Sequence, residues 1–362
     1  MSKKILFCHL LNNYTGSPKV LAEELNLLSK NTNYDISLLT SKTDGILSEL
    51  QNVHFYYNGY HWSNNKFVLI FLFLIAQIRS FFFVLFHKFD IIYINTIVPF
   101  GAALAAKIRK AKVIYHIHEV YINTNFMKRF YKKVANLCAD RVICVSNYVK
   151  ENNKELEGRS CVIYNPVKNH EIYEDLNTYI KKKYDKRLVF LPASLKEFKG
   201  VNQFVELARK NPDLNFKLLC STTLREMERF FSGIQLPKNL ELVEQKKDLF
   251  DFYKEATITI NLSLPDKCIE TFGLTLVESF DTFTPVLAPA YGGPKEIVED
   301  GKNGFLVNPY DLDNISNILH NITSDFDMYE KISLEAKKTL IKFDIDQFIT
   351  RIKEELMGEK TD

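Results

Sequence analysis

Several features that mark other classes of protein are missing from this sequence. Its six cysteines are scattered, with neither a C-x-x-C pair nor a zinc-ligand set, which argues against a disulfide scaffold and a zinc fold. It contains no G-x-G-x-x-G, the fingerprint of nicotinamide-dependent oxidoreductases. The net charge is only +3, and we expect no nucleic-acid partner. Residues 1–4 lead directly into an apolar strand, so we expect no signal peptide. The scattered cysteines are expected to be reduced thiols, and the protein is expected to be cytoplasmic.

Length and composition indicate two soluble α/β domains. At 362 residues, with 46% hydrophobic and 25% charged residues, the chain is long enough for two cores. Apolar strand-like runs alternate with helical segments in both halves, which is typical of parallel sheets covered by helices on both faces. Strands are predicted at 4–10, 89–95, 111–119, 140–145, 161–166, 187–191, 215–220, 239–243, 256–264, 285–290 and 304–307. Helices are predicted from Pro18 to about Ser29 and over 201–210. A polar stretch at 167–186 is predicted to link the two halves.

Charge is distributed unevenly between the halves. Residues 1–175 carry 21 Lys and Arg against 14 Asp and Glu, whereas the remainder carries 26 against 30. A basic first half could face anionic lipid or a phosphorylated acceptor, because exposed cations attract anionic surfaces. Ordinary variation of a protein surface is the alternative.

The most apolar stretch lies at 67–86. It is about as long as a membrane span, but Gln77, Arg79 and Ser80 interrupt it, and a strand follows almost at once. We predict a long, aromatic helix here. Three roles stay open for it: a core helix, a helix seated partly in a membrane interface, and a true span. A span would place the first part of the fold on the wrong side of the bilayer.

Two glutamates stand out in the segment 268–280, CIETFGLTLVESF. Apolar runs flank this segment, so a strand–turn–helix–strand unit is predicted, with Glu270 in the loop after the first strand and Glu278 on the helix. Ligands bind at this edge of α/β sheets, and a helix N-terminus favours an anion such as phosphate. Gly273 allows close backbone approach, and carboxylates accept hydrogen bonds from hydroxyls. Phosphate, ribose diol and sugar hydroxyls together describe a nucleotide sugar.

The same region resembles the family 4 retaining glycosyltransferases of the GT-B fold. The matching positions are Glu270-x7-Glu278, Pro285-Val286, Gly292-Gly293-Pro294-x-Glu296-Ile297-Val298 and Gly301-x-x-Gly304-Phe-Leu-Val307. The resemblance covers nearly the whole chain and implies two Rossmann-like, doubly wound parallel-sheet domains facing a cleft. An acceptor-binding domain is expected at 1–170 and a donor domain at 171–342. A C-terminal helix at 343–362 is expected to pack back on the first domain.

The resemblance also implies roles for residues outside the glutamate pair. Lys199-Gly200 matches a Lys-Gly pair whose ammonium neutralises the donor diphosphate, but Ser194 stands where the family carries Arg, which offers a bidentate phosphate fork. Lys196 could replace that Arg in part. Gly16 is expected to approach donor phosphate or acceptor, or else to serve a turn. His118 occupies the place of a strand-end His near the sugar, and a purely structural His is the alternative.

The predicted site therefore has a catalytic set and a donor-binding set. Glu270, His118 and Lys199 are the catalytic candidates. The donor-binding candidates are Gly16, Ser194, Lys199, Glu270, Thr271, Phe272, Gly273, Leu274 and Glu278. Lys199 and the amides of Phe272 and Gly273 would stabilise the leaving diphosphate, so neither a metal nor another cofactor is required. The resemblance implies retention of configuration, but the sequence identifies no nucleophile.

The expected activity is a retaining, metal-independent hexosyltransferase that builds surface polysaccharide. Its partners would be a nucleotide sugar and a glycan acceptor, lipid-linked, at the inner face of the cytoplasmic membrane with peripheral membrane contact. Two alternatives are a soluble glycosyltransferase acting on a small metabolite and a non-catalytic sugar-nucleotide-binding subunit. Ser194 in place of the family's Arg, and Ser17 in place of a second glycine after Gly16, are the observations behind the second alternative.

Overall fold

The structure is a computed structural model that describes residues 2–120 and 126–358. The chain divides into two compact units: the first is Met1–Asn165 with Asp346–Asp362, and the second is Pro166–Ile345. The sequence places its domain boundaries at 170 and 342, within a few residues of these divisions. Residues 359–362, part of the predicted C-terminal helix, lie outside the described range.

The first unit is built on a sheet of seven parallel strands in the order β3-β2-β1-β4-β5-β6-β7. Its strands are β1 Lys4–Cys8, β2 Asp35–Thr40, β3 His54–Tyr57, β4 Ile91–Asn95, β5 Lys112–Ile117, β6 Arg141–Cys144 and β7 Ser160–Val162. Its helices are α1 Gly16–Asn31, α2 Lys66–Phe86, α3 Phe100–Arg109, α4 Phe126–Cys138, α5 Asn147–Glu151 and, from the end of the chain, α14 Ile345–Met357. 3₁₀ turns occupy Ile46–Glu49 and Lys154–Arg159.

The second unit repeats this plan with six parallel strands in the order β10-β9-β8-β11-β12-β13. Its strands are β8 Leu188–Ala193, β9 Asn215–Cys220, β10 Leu240–Val243, β11 Ile258–Ile260, β12 Val286–Pro289 and β13 Gly304–Val307. Its helices are α6 Leu176–Lys186, α7 Val201–Lys210, α8 Leu224–Phe230, α9 Phe250–Glu255, α10 Leu274–Asp281, α11 Pro294–Ile297, α12 Leu312–Ser324 and α13 Phe326–Thr339. 3₁₀ turns occupy Glu197–Lys199 and Leu340–Phe343.

Burial explains why these strands are apolar throughout rather than alternating. All residues of β4 and of β11 are buried, because helices cover both faces of each sheet. In each sheet the strand order reverses next to the first strand, between β1 and β4 and between β8 and β11. These two switch points are where open α/β sheets place their ligands.

The last helix belongs to the first unit. The ammonium of Lys112, at the start of β5, donates to the carbonyls of Glu355 and Leu356 at 2.6 and 3.1 Å. These carbonyls have no partner within the helix, so a cation there satisfies them and complements the helix dipole. The guanidinium of Arg141 lies 3.8 Å from the Glu355 carboxylate.

Four local expectations differ from the structure. Strands β2 and β3 were not predicted. The stretch predicted as a polar linker, 167–186, contains helix α6, which buries Tyr179, Ile180 and Lys183. The strand predicted at 256–264 is only Ile258–Ile260, because the chain after it forms the loop described below. Helix α1 begins at Gly16 rather than at Pro18.

Candidate functional site

The loops that follow β8 and β11 form one side of the candidate site in the second unit. Ser194 comes directly after β8, and its carbonyl accepts a hydrogen bond from the Lys196 amide at 2.8 Å. Lys199 ends the 3₁₀ turn that leads into α7. The residues after β11 continue as an extended segment, and the Leu264 amide donates to the Phe198 carbonyl at 2.8 Å. The two loops are therefore held together by backbone contact.

Lys199 and Glu270 form an ion pair at this edge. The Lys199 ammonium lies 2.7 Å from a Glu270 carboxylate oxygen, and both side chains are mostly buried, with 23% and 21% of their surface exposed. Burial alone would raise the pKa of Glu270, but Lys199, the Asn261 side chain and the Phe272 amide outweigh it and lower that pKa. Burial would lower the pKa of Lys199, but Glu270 outweighs it and raises that pKa. Both groups are charged at neutral pH.

Asn261 is the neutral partner of this pair. Its side-chain oxygen accepts from the Ser263 amide at 2.9 Å, which directs its amide nitrogen towards the Glu270 carboxylate. The Lys199 ammonium also lies 3.5 Å from the Ser263 hydroxyl. A cation, a carboxylate and polar donors thus converge where the strand order reverses.

Three glycines let the loops approach so closely. Gly200 has φ +73°, and a Cβ there would lie 2.2 Å from the Leu262 carbonyl oxygen. Gly292 has φ +68°, and its Cβ would lie 2.3 Å from the Glu270 carbonyl oxygen. A Cβ on Gly293 would lie 2.3 Å from the Thr271 carbonyl oxygen, and the Gly293 amide donates to the Glu270 carbonyl at 2.9 Å. The loop after β12 therefore packs directly against the backbone of the Glu270 loop and holds it in place.

The start of α10 has an arrangement different in part from the prediction. Gly273 is the N-cap with φ +101° and has no side chain to cap the first turn, which begins at Leu274. The Phe272 amide, expected to face a diphosphate, instead hydrogen-bonds the Glu270 carboxylate. The Phe272 ring is buried and meets the Phe343 ring edge-on at 5.8 Å. Thr271 is partly exposed between these contacts.

Glu278 contacts a different residue from those around Glu270. Its carboxylate accepts a hydrogen bond from the Tyr253 hydroxyl at 2.8 Å, and Tyr253 is buried. The backbone of Tyr253 is itself fixed, because its carbonyl accepts from the Lys183 ammonium at 2.7 Å and from the Thr284 hydroxyl at 3.0 Å. Burial raises the pKa of the Tyr253 phenol well above its usual value, and Glu278 raises it further. Tyr253 is therefore a donor that orients Glu278.

In the first unit, Asn95 connects the sequence-predicted residues. It ends β4 and is buried, and its side-chain oxygen lies 2.8 Å from His118 Nε2. Its amide nitrogen contacts His9 Nδ1 at 3.0 Å and the Ser17 carbonyl at 3.3 Å. Gly16, the residue before Ser17, begins α1 and has no left-handed φ.

His118 is held as a neutral ring. Burial, followed by the neighbouring His116 and His9, lowers the pKa of His118 well below its usual value. Because the Asn95 oxygen accepts, Nε2 carries the hydrogen and Nδ1 is the acceptor. The Glu119 carboxylate accepts from the Ile97 amide at 2.9 Å and the His118 amide at 3.2 Å, which fixes the strand end.

Three residues of the site, Asn95, Asn261 and Tyr253, were not predicted from the sequence. The two asparagines share a signal that could have been found, since each stands at or just after the end of a strand at a switch point. Tyr253 carries no such signal, because it lies on a short helix 25 residues away from Glu278 in the chain.

Three Asp-x-Asp triplets, at 311–313, 325–327 and 344–346, were overlooked as a possible metal signal. Asp311 caps α12 through the Asn314 amide, and Asp325 caps α13 through the Met328 amide. Among residues 2–120 and 126–358 no group of three or more His, Cys, Asp or Glu side chains is placed to hold a metal ion. All six cysteines are free thiols, four of them buried.

Two family models match the chain, one for each unit. Residues 15–170 match the model described as Glycosyltransferase Family 4, and residues 174–339 match the one described as Glycosyl transferases group 1.

Sequence relatives cover part of the chain. It is 32% identical over 221 residues to an uncharacterized glycosyltransferase of Methanocaldococcus jannaschii, a match covering 59% of each chain. It is 28% identical over 177 residues to sucrose synthase 1 of Oryza sativa subsp. japonica, covering 44% of this chain and 21% of that enzyme. The matches thus span about three fifths and one fifth of those relatives.

Solved structures match the whole chain in fold. Anabaena HepE, crystallised in complex with UDP and glucose, superposes with a TM-score of 0.80 at 20% identity, covering 99% of this chain and all of that one. Sucrose-phosphate synthase of Thermosynechococcus elongatus superposes with a TM-score of 0.80 at 15% identity, covering 98% of both chains. These likenesses confirm the expected fold class of two Rossmann-like parallel-sheet units.

Proposed function

Because the chain belongs to the GT-B glycosyltransferases, with a Family 4 first unit and a group 1 second unit, we propose that it transfers a hexose from a nucleoside diphosphate sugar to a glycan. The donor site is assigned to the second unit, around Lys199, Glu270 and the start of α10. The observation that carries the proposal is the Lys199–Glu270 pair at the switch point, where a cation and a hydroxyl-binding carboxylate stand side by side. The UDP and glucose named with Anabaena HepE make a uridine diphosphate sugar the first donor to test.

Donor binding would change the partners of this ion pair. The Lys199 ammonium would turn to the diphosphate, and Glu270 would accept from sugar hydroxyls, as its Asn261 contact fixes the carboxylate in place. Glu278, oriented by Tyr253, would accept from the ribose diol. Lys199 and the first-turn amides of α10 would offset charge on the leaving diphosphate, which requires no metal.

We assign retention of configuration to the transfer, through attack from the leaving-group face. In that route the bond from the anomeric carbon to the phosphate oxygen breaks, and the bond to the acceptor oxygen forms on the same face. The departing phosphate takes the proton of the acceptor hydroxyl, so no enzymatic nucleophile is required. His118, neutral and fixed by Asn95, would serve as a hydrogen-bonding residue of the first unit.

The acceptor we propose is a lipid-linked glycan in surface polysaccharide synthesis at the inner face of the cytoplasmic membrane. The surplus of cations in residues 1–175, at 21 Lys and Arg against 14 Asp and Glu, supports an anionic partner for the first unit. With a small soluble acceptor, ordinary variation of the protein surface would be the only explanation for that surplus.

A thermal-shift screen with nucleoside diphosphates and their sugars tests the donor site. A ligand that binds only the folded state stabilises it by about 2.7 kcal/mol when the free ligand concentration is 100 times Kd, and Tm rises as a result. We expect a rise with one diphosphosugar and a loss of that rise in Lys199→Ala. A matched variant, Lys210→Ala at the other end of α7, should keep that rise. No response to any uridine, guanosine or adenosine diphosphosugar would contradict the proposal.

Ser194 favours one second candidate, a non-catalytic subunit that binds a sugar nucleotide. A hydroxyl replaces the cationic fork expected beside the diphosphate, so leaving-group stabilisation rests on Lys199. Purified protein incubated with the responding donor and mass spectrometry of the nucleotide product separate the two. Release of the nucleoside diphosphate supports the enzyme, and binding without release supports the subunit.

A further inference from the structure

Helix α2 buries two uncharged polar residues, Gln77 and Ser80, and exposes many of its large apolar side chains. Its 21 residues have a mean hydropathy of 2.5 over the most apolar 18, yet only 22% of that window is buried. The buried positions are Ala76, Gln77, Ser80 and Val84. A helix of the core would bury its largest apolar side chains. The orientation of α2 is therefore the reverse of the one expected for a core helix.

Contacts with α3 fix this orientation. The Gln77 side-chain oxygen accepts from the Gly101 amide at 3.0 Å, and a Cβ on Gly101 would lie 2.2 Å from the Gln77 carbonyl oxygen. The Ser80 hydroxyl donates to the Ala76 carbonyl at 2.7 Å. The Phe73 ring lies 6.0 Å from the Phe100 ring on α3. The Ser80 bond lies within α2, but rotating α2 would break the bond between Gln77 and Gly101 and leave these two buried groups unpaired, at a cost of about 1–3 kcal/mol each.

The outward face is one continuous apolar stripe. It consists of Phe67, Ile70, Phe71, Leu74, Ile78, Phe82 and Phe86, each 47–85% exposed. Apart from the adjacent pair Ile70 and Phe71, successive members are three or four residues apart, so they lie on one side of the helix along its whole length. At 1.5 Å per residue the stripe is roughly 30 Å long. A continuous apolar surface of this length is unusual on a protein face that remains in water.

The charge around the stripe indicates what covers it. The sequence range 66–133, which runs from the start of α2 through α3 into α4, holds eleven Lys and Arg and only two Asp and Glu. Lys66 and Lys88 flank the two ends of α2, and Arg129 and Lys133 are exposed on α4. The Phe73 and Tyr131 rings, 6.5 Å apart, join α2 to α4. A second copy of this chain would bring like charges together, whereas an anionic bilayer would neutralise them.

We propose that the α2 stripe is a docking surface for an anionic lipid bilayer. The helix lies parallel to the membrane plane, with the seven stripe side chains below the headgroups and the cations of α2 and α4 at headgroup level. The polar inner face stays packed on α3, so α2 does not span. The role of this surface rests on the proposed function, since docking would hold the enzyme next to a lipid-linked acceptor.

Vesicle sedimentation of the full chain tests this surface, without any donor present. Vesicles of phosphatidylcholine with 30 mol% phosphatidylglycerol, on the order of typical anionic content, should bind the protein, and high salt should weaken the binding. The variant Phe71→Ser/Leu74→Ser/Ile78→Ser should lower the partition coefficient by about tenfold or more. Phe71→Ser alone, at a 63% exposed position, serves if the triple variant does not fold.

A matched control removes exposed apolar side chains from the second unit. Tyr173 and Ile341 are 94% and 71% exposed, so Tyr173→Ser/Ile341→Ser should bind vesicles within about twofold of the unaltered chain. The chain has a single tryptophan, Trp62, which is 65% exposed and five residues before the stripe. Its emission should shift to the blue on vesicle binding, because tryptophan enters the interface.

Three results would overturn the proposal. One is equal vesicle binding by the stripe variant and the control. Another is a concentration-dependent dimer that the stripe variant abolishes, with no vesicle binding by either protein. The third is resistance to extraction by alkaline carbonate, which would make α2 a span. The rise in Tm caused by the sugar nucleotide should be the same in the stripe variant and the unaltered chain. If neither protein shows that rise, the proposed donor site is contradicted, and the membrane surface is not.

Discussion

The ion pair between Lys199 and Glu270 sets the chemistry at the scale of single residues. At 2.7 Å it keeps both side chains charged in a mostly buried place. Each member also prevents the other from being an isolated buried charge, which would cost several kcal/mol. The two catalytic candidates therefore hold each other in position before any ligand arrives.

Replacing the two glutamates should produce different kinetic defects. Glu270→Gln leaves the Lys199 ammonium without its carboxylate and should lower kcat by about 100-fold, with a small change in donor KM. Glu278→Ala removes the carboxylate proposed to accept hydrogen bonds from the ribose of the sugar nucleotide, and it should raise the KM for that sugar nucleotide by about tenfold or more. Steady-state kinetics with the responding donor measure both. Glu206→Gln, an exposed residue paired with Arg209, is the control, and unchanged kinetics in both site variants would refute the assignment.

Tyr253→Phe should show a coupled defect. The change removes only the hydroxyl that donates to Glu278, so donor KM should rise by about three- to tenfold while kcat stays the same. In the Glu278→Ala background the same change should have little effect, because the interaction is already lost. This double-mutant cycle, with Tyr184→Phe as control, distinguishes orientation from general loss of packing. Additive effects would show that Tyr253 does not act through Glu278.

At the residue scale, Glu270 was singled out by its place after a predicted strand, and Lys199 by the family resemblance. The structure brings these two side chains into contact. Tyr253 left no such signal, because it meets Glu278 only in the folded chain. Asn95 and Asn261 each stand at or just after the end of a strand, but that position does not tell which side chains they contact. Asn95, for example, meets His9 across 86 positions of chain.

At the scale of elements, three glycines allow separate tests of backbone strain and crowding. Gly158 has no left-handed φ, and a Cβ added there would have no neighbour within 4 Å. Gly233 has φ +84°, but an added Cβ would lie in open space. Gly200 has φ +73°, and an added Cβ would lie 2.2 Å from the Leu262 carbonyl oxygen. Replacement by Ala should be neutral at Gly158, should cost about 1 kcal/mol at Gly233, and should cost about 3 kcal/mol or more at Gly200. Urea unfolding of the three variants measures this order.

Gly200→Ala should also impair turnover more than its stability loss explains, because Lys199 precedes it in the turn. Activity measured well below Tm separates the two effects. Equal stability of Gly200→Ala and Gly233→Ala would mean that the loop after β11 can move away, and the tight approach of the two loops would then not be required.

Element prediction succeeded for strands buried on both faces and failed where tertiary context decides. Strands β9 and β13 and helix α7 lie where the apolar pattern predicted them. Helix α6 was missed because its composition is polar, although Tyr179 and Ile180 pack inward. The orientation of α2 could not be predicted, since a helix that is apolar all round has no periodicity to mark its inner face.

At the scale of the whole molecule, the buried histidines should make stability depend on pH. Burial lowers the pKa of His9 from 6.5 to about 4. Between these values the unfolded chain binds a proton that the folded chain does not, so the free energy of unfolding falls as pH falls below about 6.5. His9 alone should remove about 2 kcal/mol between pH 8 and pH 5. His118 acts in the same direction.

Urea unfolding of His9→Gln against pH tests this dependence. The variant should flatten the profile between pH 7 and pH 5, since Gln binds no proton but can still accept from Asn95. His54→Gln, at a side chain 74% exposed, should leave the profile unchanged. The lowered pKa of Glu270 destabilises only below its usual value of 4.5, outside this window. A profile of equal slope in His9→Gln would contradict the assignment.

The fold class was accessible from sequence because alternating strands and helices admit few topologies. The strand order and the position of each switch point follow from that alternation only once the pairing partners are known. The inclusion of Ile345–Met357 in the first unit was anticipated from the resemblance, because periodicity alone does not tell a helix which sheet it joins.

The bond between Lys112 and the final turn of α14 has a consequence for biosynthesis. A ribosome delivers the amino-terminal sheet first, but the helix that completes it emerges last, after the whole second unit. We expect the nascent amino-terminal half to wait with an uncovered surface while the unit made after it finishes folding. Truncation just before α14 should therefore damage the half of the protein that is farthest from the cut in the chain.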